Sequence, residues 1–172
     1  LGYLGYVSYI FEPSKNEANS ELNQSQYYFN LALNELNSPA VSDSLFLIAL
    51  EGGEGRYGFL DIISNYSGTP AAEIAEYSAG MIYIKLKKYE EAISYLEKFD
   101  SNDVLLSSIA FGSIADSYLN LNKPKISLEY YEKALSLNSN SFSNPKYLFK
   151  ADVISNSLNL NQKALSYFKR IV

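Results

Sequence analysis

Histidine and cysteine are both absent from this chain. Their absence removes Ser-His and Cys-His nucleophile pairs, imidazole and thiolate metal sites, disulfides and dithiol redox motifs together. Only carboxylate, Ser-Lys or Tyr chemistry is left for an active site. With neither a disulfide framework nor a reactive thiol to read, the redox compartment stays open. Positive charge is scarce as well: 14 Lys and Arg face 19 Asp and Glu, for a formal net charge of -5. No basic stripe can then offset a phosphate backbone, and nucleic acid is not expected as a partner. What is present suits a folded core: 172 residues, 47% hydrophobic and 19% charged, fit one globular domain or one short solenoid.

Leu1 to Phe11 carries no charge and ends at Glu12 and Pro13, before a polar stretch from Ser14 to Gln26. Eleven residues are too few to cross a bilayer, which takes about 20. Tyr3, Tyr6 and Tyr9 nevertheless sit at helical spacing, as in the aromatic turns where a helix leaves a membrane. The chain begins without Met, so a hydrophobic segment is expected upstream, with residues 1–13 forming the end of a membrane helix or an aromatic stem. The alternative is a short aromatic N-terminal helix packed on the domain or left by processing.

The chain is similar to itself. EYSAGMIY (76–83) and LKKYEEAISYLEKF (86–99) align with FGSIADSY (111–118) and LNKPKISLEYYEKA (121–134) at an offset of 35. A third copy follows 37 residues on, with Leu148, Ala151, Asp152 and Ser155 on its first stretch and Leu158, Ala164, Phe168 and Ile171 around its second. The two extra residues fall between Asn138 and Asn144. Each copy is a pair of apolar-periodic stretches joined by a short polar turn: a helix hairpin that must stack on its neighbours to bury its face.

These residues resemble the tetratricopeptide repeat family. The family's Leu-Gly pair corresponds to Ala79-Gly80, Ile114-Ala115 and Ala151-Asp152, and its first-helix Tyr to Tyr83, Tyr118 and Ser155. Its second-helix Ala corresponds to Ala92, Ser127 and Ala164, and the aromatic position after it to Leu96, Tyr131 and Phe168. The Trp position departs, holding Glu76, Phe111 and Leu148, and the turn Gly is replaced by Lys87, Asn122 and Asn159. The resemblance implies an all-α, right-handed α-solenoid of helix hairpins, with repeats over 73–107, 108–144 and 145–172. The N-terminal third fits more loosely. Glu17 to Leu36 reads as a helix, Ser44 to Leu50 as its partner, and Tyr57 to Tyr66 resumes the periodicity after a Gly-rich loop. Residues 14–72 are thus expected to be a modified first hairpin with a flexible Gly-rich insertion.

The Tyr-rich stem, SLFLIAL (44–50), the Gly-rich loop, GFLDII (58–63) and SGTP (67–70) leading into the 76–83 helix look like the membrane-anchored tetratricopeptide proteins of Bacteroidota. Those are related in plan to the ancillary subunit of the SecYEG translocon. The resemblance implies a single-pass anchor in the inner membrane, repeats in the periplasm, and protein partners such as SecYEG or periplasmic chaperones. It also implies further helix after Val172, since Ala164 to Val172 has no polar capping helix. A docked partner or a second copy is the alternative. A soluble peptide-binding adaptor for another complex is the competing reading of function.

Two patterns imitate chemistry. Gly53-Glu54-Gly55-Arg56-Tyr57-Gly58 satisfies G-x-G-x-x-G, but Glu51 and Glu54 place negative charge where a pyrophosphate would sit and no βαβ pattern follows. Glu51, Glu54, Asp61, Glu73 and Glu76 match no calcium loop and no acid-base spacing. Ser94 and Lys98 are one residue too far apart for a Ser-x-x-Lys pair. No catalytic residue, cofactor, metal or small-molecule substrate is therefore expected.

With 16 Tyr and 9 Phe, most rings must serve packing, and Tyr83/Tyr118, Tyr95/Tyr130 and Leu96/Tyr131/Phe168 fall at the packing positions of the copies. In the resembled family the first helix of each hairpin lines a concave groove. By register, that row here is Tyr77, Met81 and Lys85, then Gly112, Asp116 and Asn120, then Phe149, Val153 and Asn156; ordinary surface is the alternative. Only Lys85 and Asp116 in the row are charged, which suits a hydrophobic or amide-rich segment more than a peptide carboxylate. Asp116→Lys with Met81→Glu is expected to weaken partner capture and leave the fold intact.

Overall fold

Ser42, Phe46, Ala49 and Leu50 recur at helical spacing and all are buried, the stripe that makes a helix dock on a core. The same periodicity runs through nine helices in the computed structural model, which describes residues 12–137 and 144–171. They are α1 (Glu12–Asn34), α2 (Pro39–Glu51), α3 (Phe59–Asn65), α4 (Pro70–Lys85), α5 (Tyr89–Leu96), α6 (Val104–Asn120), α7 (Pro124–Ser136), α8 (Asn144–Ser157) and α9 (Asn161–Ile171). Among the described residues there is no strand beyond one isolated bridge between Gly53 and Arg56. The expected stem, with Tyr3, Tyr6 and Tyr9, lies outside the described residues, as does the segment 138–143. The chain divides into two compact units between Lys87 and Lys88, inside the stretch 73–107 that the sequence repeat marks as one copy.

In the first unit α1 packs on α2, α3 and α4. Phe29 of α1 meets Phe46 of α2 and Phe59 of α3 at ring distances of 5.8 and 6.3 Å. The Ser42 hydroxyl donates to the Ala32 carbonyl at 2.9 Å, which draws α2 onto α1. In the second unit the Ser127 hydroxyl donates to the Ala115 carbonyl at 2.8 Å and draws α7 onto α6 in the same way. A small residue at that point lets two backbones approach, and its hydroxyl satisfies a carbonyl that would otherwise be buried beside apolar carbon.

The Gly-rich segment, expected as a flexible insertion, forms a defined turn. Gly53 and Arg56 exchange two backbone hydrogen bonds of 3.1 Å across Glu54 and Gly55, whose φ angles are 53° and 78°. Two central residues with positive φ make a tight hairpin turn. Just outside it the strands of the loop press together: a Cβ on Gly58 would lie 2.3 Å from the Gly52 nitrogen. Only glycine permits that approach. Ser25 of α1 ties the loop down by donating to the Tyr57 carbonyl at 2.9 Å, and Asp61 accepts the Gly58 N–H at 3.0 Å. α4 then starts on Thr69, which is buried; its hydroxyl oxygen accepts from the Ala72 N–H at 3.2 Å and donates to the Tyr66 carbonyl at 2.7 Å. Burial, then the charge of Glu17, push the Tyr66 hydroxyl itself up to about 12.

In the second unit α5 packs on α6, α6 on α7, α7 on α8 and α8 on α9. Its core joins Leu128, Tyr131 and Leu135 of α7 to Tyr147, Leu148, Ala151 and Ile154 of α8, with Tyr167 of α9. Each such large side chain contributes about 2 kcal/mol through area removed from water. Asp103 caps α6 by accepting from the Leu105 and Leu106 N–H groups at 2.8 and 3.1 Å.

The three residues standing in for the repeat's turn glycine are Lys87, Asn122 and Asn159, and all are left-handed, with φ of 60°, 56° and 59°. The turn conformation persists without the residue that adopts it most cheaply. Asn tolerates this region better than Lys, whose Cβ crowds the neighbouring carbonyl. Lys87→Gly should therefore raise unfolding stability by about 1 kcal/mol, and Asn122→Gly by less, as read by chemical denaturation.

Candidate protein-interaction surface

The nine expected groove residues lie on three helices, one in the first unit and two in the second. Tyr77, Met81 and Lys85 share one face of α4. Tyr77 and Met81 are half-buried, burial raises the Tyr77 hydroxyl, and Lys85 is exposed in the last turn. The helix α6, which carries Gly112, Asp116 and Asn120, meets α8, which carries Phe149, Val153 and Asn156, where Gly112 faces Tyr147 and Asp116 pairs with Lys150.

Gly112 cannot line an open surface. It is buried, and a Cβ built on it would meet the Tyr147 ring at 2.3 Å. The missing side chain is the space that Tyr147 fills, so the position serves helix packing.

Asp116 is also committed to the fold. Its carboxylate accepts from the hydroxyl of Tyr131 on α7 and pairs with the ammonium of Lys150 on α8. Tyr131 is wholly buried, its ring 5.8 Å from that of Tyr147, with the Lys150 Nζ 5.6 Å from its centre. Burial raises the Tyr131 hydroxyl far above its ordinary range, and the bond to Asp116 and that carboxylate's charge raise it further. One carboxylate thus joins three successive helices. Tyr147 and Lys150 went unsuspected because their partners lie 35 and 34 residues away (Gly112 and Asp116), and a periodic pattern within one helix does not show cross-helix pairs.

What stays open to solvent is the rest of the second-unit row. Phe149 is 60% exposed and Val153 50%. Asn120 and Asn156 are exposed beside them, with Nδ2 groups donating to the Asp116 carbonyl at 2.8 Å and the Asp152 carboxylate at 3.0 Å. Two apolar side chains one helical turn apart, flanked by the Asp116–Lys150 pair and two amides, can take an apolar segment and orient its backbone amides.

A second correction concerns the last hairpin. Phe168 was expected to pack, yet it is 53% exposed, while Tyr167 beside it is 6% exposed. The Tyr167 hydroxyl donates to Glu132 of α7, which also pairs with Lys163 at 2.9 Å. Burial alone would raise the Glu132 carboxyl; the bonds from Tyr167 and Lys163 outweigh it and hold the group below its ordinary value. The same arrangement occurs one repeat earlier, where the Tyr130 hydroxyl donates to Glu97. Tyr167 is therefore the register partner of Tyr130. Phe168 corresponds to Tyr131, a position that α8 covers on α7 and that no described helix covers on α9.

The residues of these patterns take part in the fold. A helix, α2, stands where a dinucleotide fingerprint needs a strand, Glu54 pairs with Arg56 at 2.7 Å, and Asp61 holds the Gly58 N–H. Among the described residues no three carboxylates converge as a metal site requires. None of the described helices is long and apolar enough to cross a membrane.

Asp116→Lys, expected from sequence to spare the fold, should instead lower stability by on the order of 2 kcal/mol. It strands the buried Tyr131 hydroxyl and sets two ammonium groups together. Asn156→Ala, on the exposed row, should cost less than about 0.5 kcal/mol in the same thermal or chemical unfolding measurement.

Comparison with known proteins agrees with this geometry. A family model described as tetratricopeptide repeat matches residues 77–103 and 110–141. The α8–α9 hairpin pairs in the same manner beyond those ranges. A solved structure, the crystal structure of MamA, is similar over 94% of this chain and 84% of its own, with a TM-score of 0.59 at 14% sequence identity, a likeness of fold. No curated protein matches. Residues 77–103 and 110–141 match the tetratricopeptide repeat, a repeat that indicates a protein–protein interaction scaffold, and the described residues form an all-α fold of helix hairpins.

Proposed function

We propose that this chain is a non-catalytic scaffold tethered to the inner membrane by a single helix, with its repeats in the periplasm. There it would hold envelope proteins beside the SecYEG translocon and periplasmic chaperones. Support for the tether is the uncharged aromatic stretch Leu1–Phe11. Support for the envelope role is the resemblance of the stem, the Gly-rich loop and the SGTP segment to membrane-anchored repeat proteins.

The observation that carries the binding site is the exposure of Phe149 and Val153 beside the Asp116–Lys150 pair. Large apolar side chains so exposed and adjacent mark interaction surfaces. The ligand is a hydrophobic or amide-rich segment of a protein partner, with Asn120 and Asn156 bonding its backbone. Tyr77, Met81 and Lys85 of α4 form the corresponding row of the first unit, proposed as a contact row in its own right. Gly112 and Asp116 support it from within.

A mild-detergent pull-down of the full-length chain from its native membranes tests this, wild type against Phe149→Ala with Val153→Glu. Translocon subunits or periplasmic chaperones should be recovered with the wild type and fall at least tenfold with the variant, whose fold stands because both residues are exposed. Recovery of the chain from the soluble fraction contradicts the tether, and equal capture by the variant contradicts the site.

A further inference from the structure

One ring of the repeat is absent from its third copy. The first-helix Tyr is Tyr83, then Tyr118, and then Ser155. In the middle copy the Tyr118 ring stacks on Tyr130 at 5.4 Å, with the Lys123 Nζ 5.9 Å from its centre. Burial, then the charge of Glu97, raise its hydroxyl. One repeat on, Tyr130, Glu97 and Lys123 become Tyr167, Glu132 and Leu160, while the ring between them becomes a serine. Ser155 is wholly buried, and its hydroxyl has no hydrogen-bond partner among the described residues. A buried polar group left unpaired is uncommon in a folded protein.

Glu132 and Leu160, which stand for two of the neighbours of Tyr118, line a cleft of about 390 Å³ between α7 and the turn that joins α8 to α9. That volume lies within the range of ligand sites. Leu128, Leu158 and Leu160 give the cleft apolar walls, and Lys125 and Lys163 bring cations to it. Glu132 takes its bonds from Lys163 and Tyr167 on one oxygen, Oε1. A carboxylate has about four acceptor positions, so Oε2 can take a further donor. The place stays open where another hairpin stacks on: α8 and α9 follow Tyr118, yet its ring is only half-buried.

We infer that this cleft receives the tyrosine side chain of a protein partner, seated as Tyr118 is in the preceding copy. The way the chain itself fills the equivalent place names the occupant. The incoming ring lies against the three leucines, and the cations of Lys125 and Lys163 complement its electron-rich face as Lys123 does for Tyr118. Its hydroxyl donates to Glu132, as the register of Glu97 beside Tyr118 directs. A leucine would forgo both the bond to the carboxylate and the contact with the cations. The cleft shares no residue with the Phe149–Val153 surface and takes its ligand independently of it.

Methyl NMR on the purified chain, titrated with N-acetyl-L-tyrosinamide, tests this. The methyl signals of Leu128, Leu158 and Leu160 should shift by ring current and saturate with a dissociation constant on the order of 1 mM, as suits so small a ligand. N-acetyl-L-leucinamide should bind at least tenfold more weakly. Ser155→Tyr should fill the cleft from within, abolish the shifts and raise the midpoint of thermal unfolding by about 3 °C. Leu160→Asp puts a carboxylate on the exposed wall, where the core is untouched, and should weaken binding at least tenfold. Circular dichroism checks that each variant is folded. A wild type whose leucine methyls do not shift overturns the proposal, as do shifts that survive in either folded variant, or equal binding of the leucine amide. Free L-tyrosine binding at least tenfold more tightly than the capped amide also overturns it and assigns the cleft to a free amino acid.

Discussion

A tyrosine hydroxyl held by a carboxylate one hairpin back is the contact on which the second unit's stacking depends. Tyr130 on α7 reaches Glu97 at the end of α5, and Tyr167 on α9 reaches Glu132 on α7. Each phenol spans the gap between the second helices of successive hairpins, Tyr167 buried and Tyr130 half-buried, and ends on a carboxylate. A neutral donor to an ionised acceptor is the stronger class of hydrogen bond, and it is directional where ring packing is not. The ring supplies area and the hydroxyl sets register. Burial, followed by the nearby carboxylate, keeps both phenols protonated well above their ordinary range.

Asp116 extends this logic to the first helices. Through Tyr131 and Lys150 it holds α6, α7 and α8 at one point, beside the Gly112 gap that Tyr147 fills. The surface proposed for binding sits directly above this clamp. Phe149 and Val153 lie on α8, each one residue before an anchored position, Lys150 in the ion pair and the buried Ile154. A rigid support beneath exposed apolar groups reduces the entropy that a ligand must overcome.

The repeat was legible because its signals are local. Ala92, Ser127 and Ala164 stand at the family's second-helix Ala and all are buried; Lys87, Asn122 and Asn159 stand at its turn Gly and all are left-handed. The errors arise where a position's role depends on a partner about 35 residues away. Gly112 carries no side chain by which to judge its surroundings, and Asp116 looks like any surface carboxylate until Tyr131 is placed against it. Tyr167 and Phe168 are adjacent aromatics about 100° apart on a helix, and only the presence or absence of a covering helix decides which one is buried. The turn at Gly53–Arg56 was not legible because glycines that permit a close approach and glycines that confer flexibility look alike in sequence.

The central claim is that the hydroxyl–carboxylate contact couples successive hairpins, and a double-mutant cycle of Glu132→Gln and Tyr167→Phe tests it most directly. Because Glu132 is held below its ordinary value, its contribution is present above the unfolded pKa of about 4.3 and is lost as pH falls through the folded value. The account predicts a coupling of about 1 kcal/mol at pH 7 that shrinks as the pH is lowered below about 4. Single-mutant effects that add to within about 0.3 kcal/mol at pH 7 would contradict it.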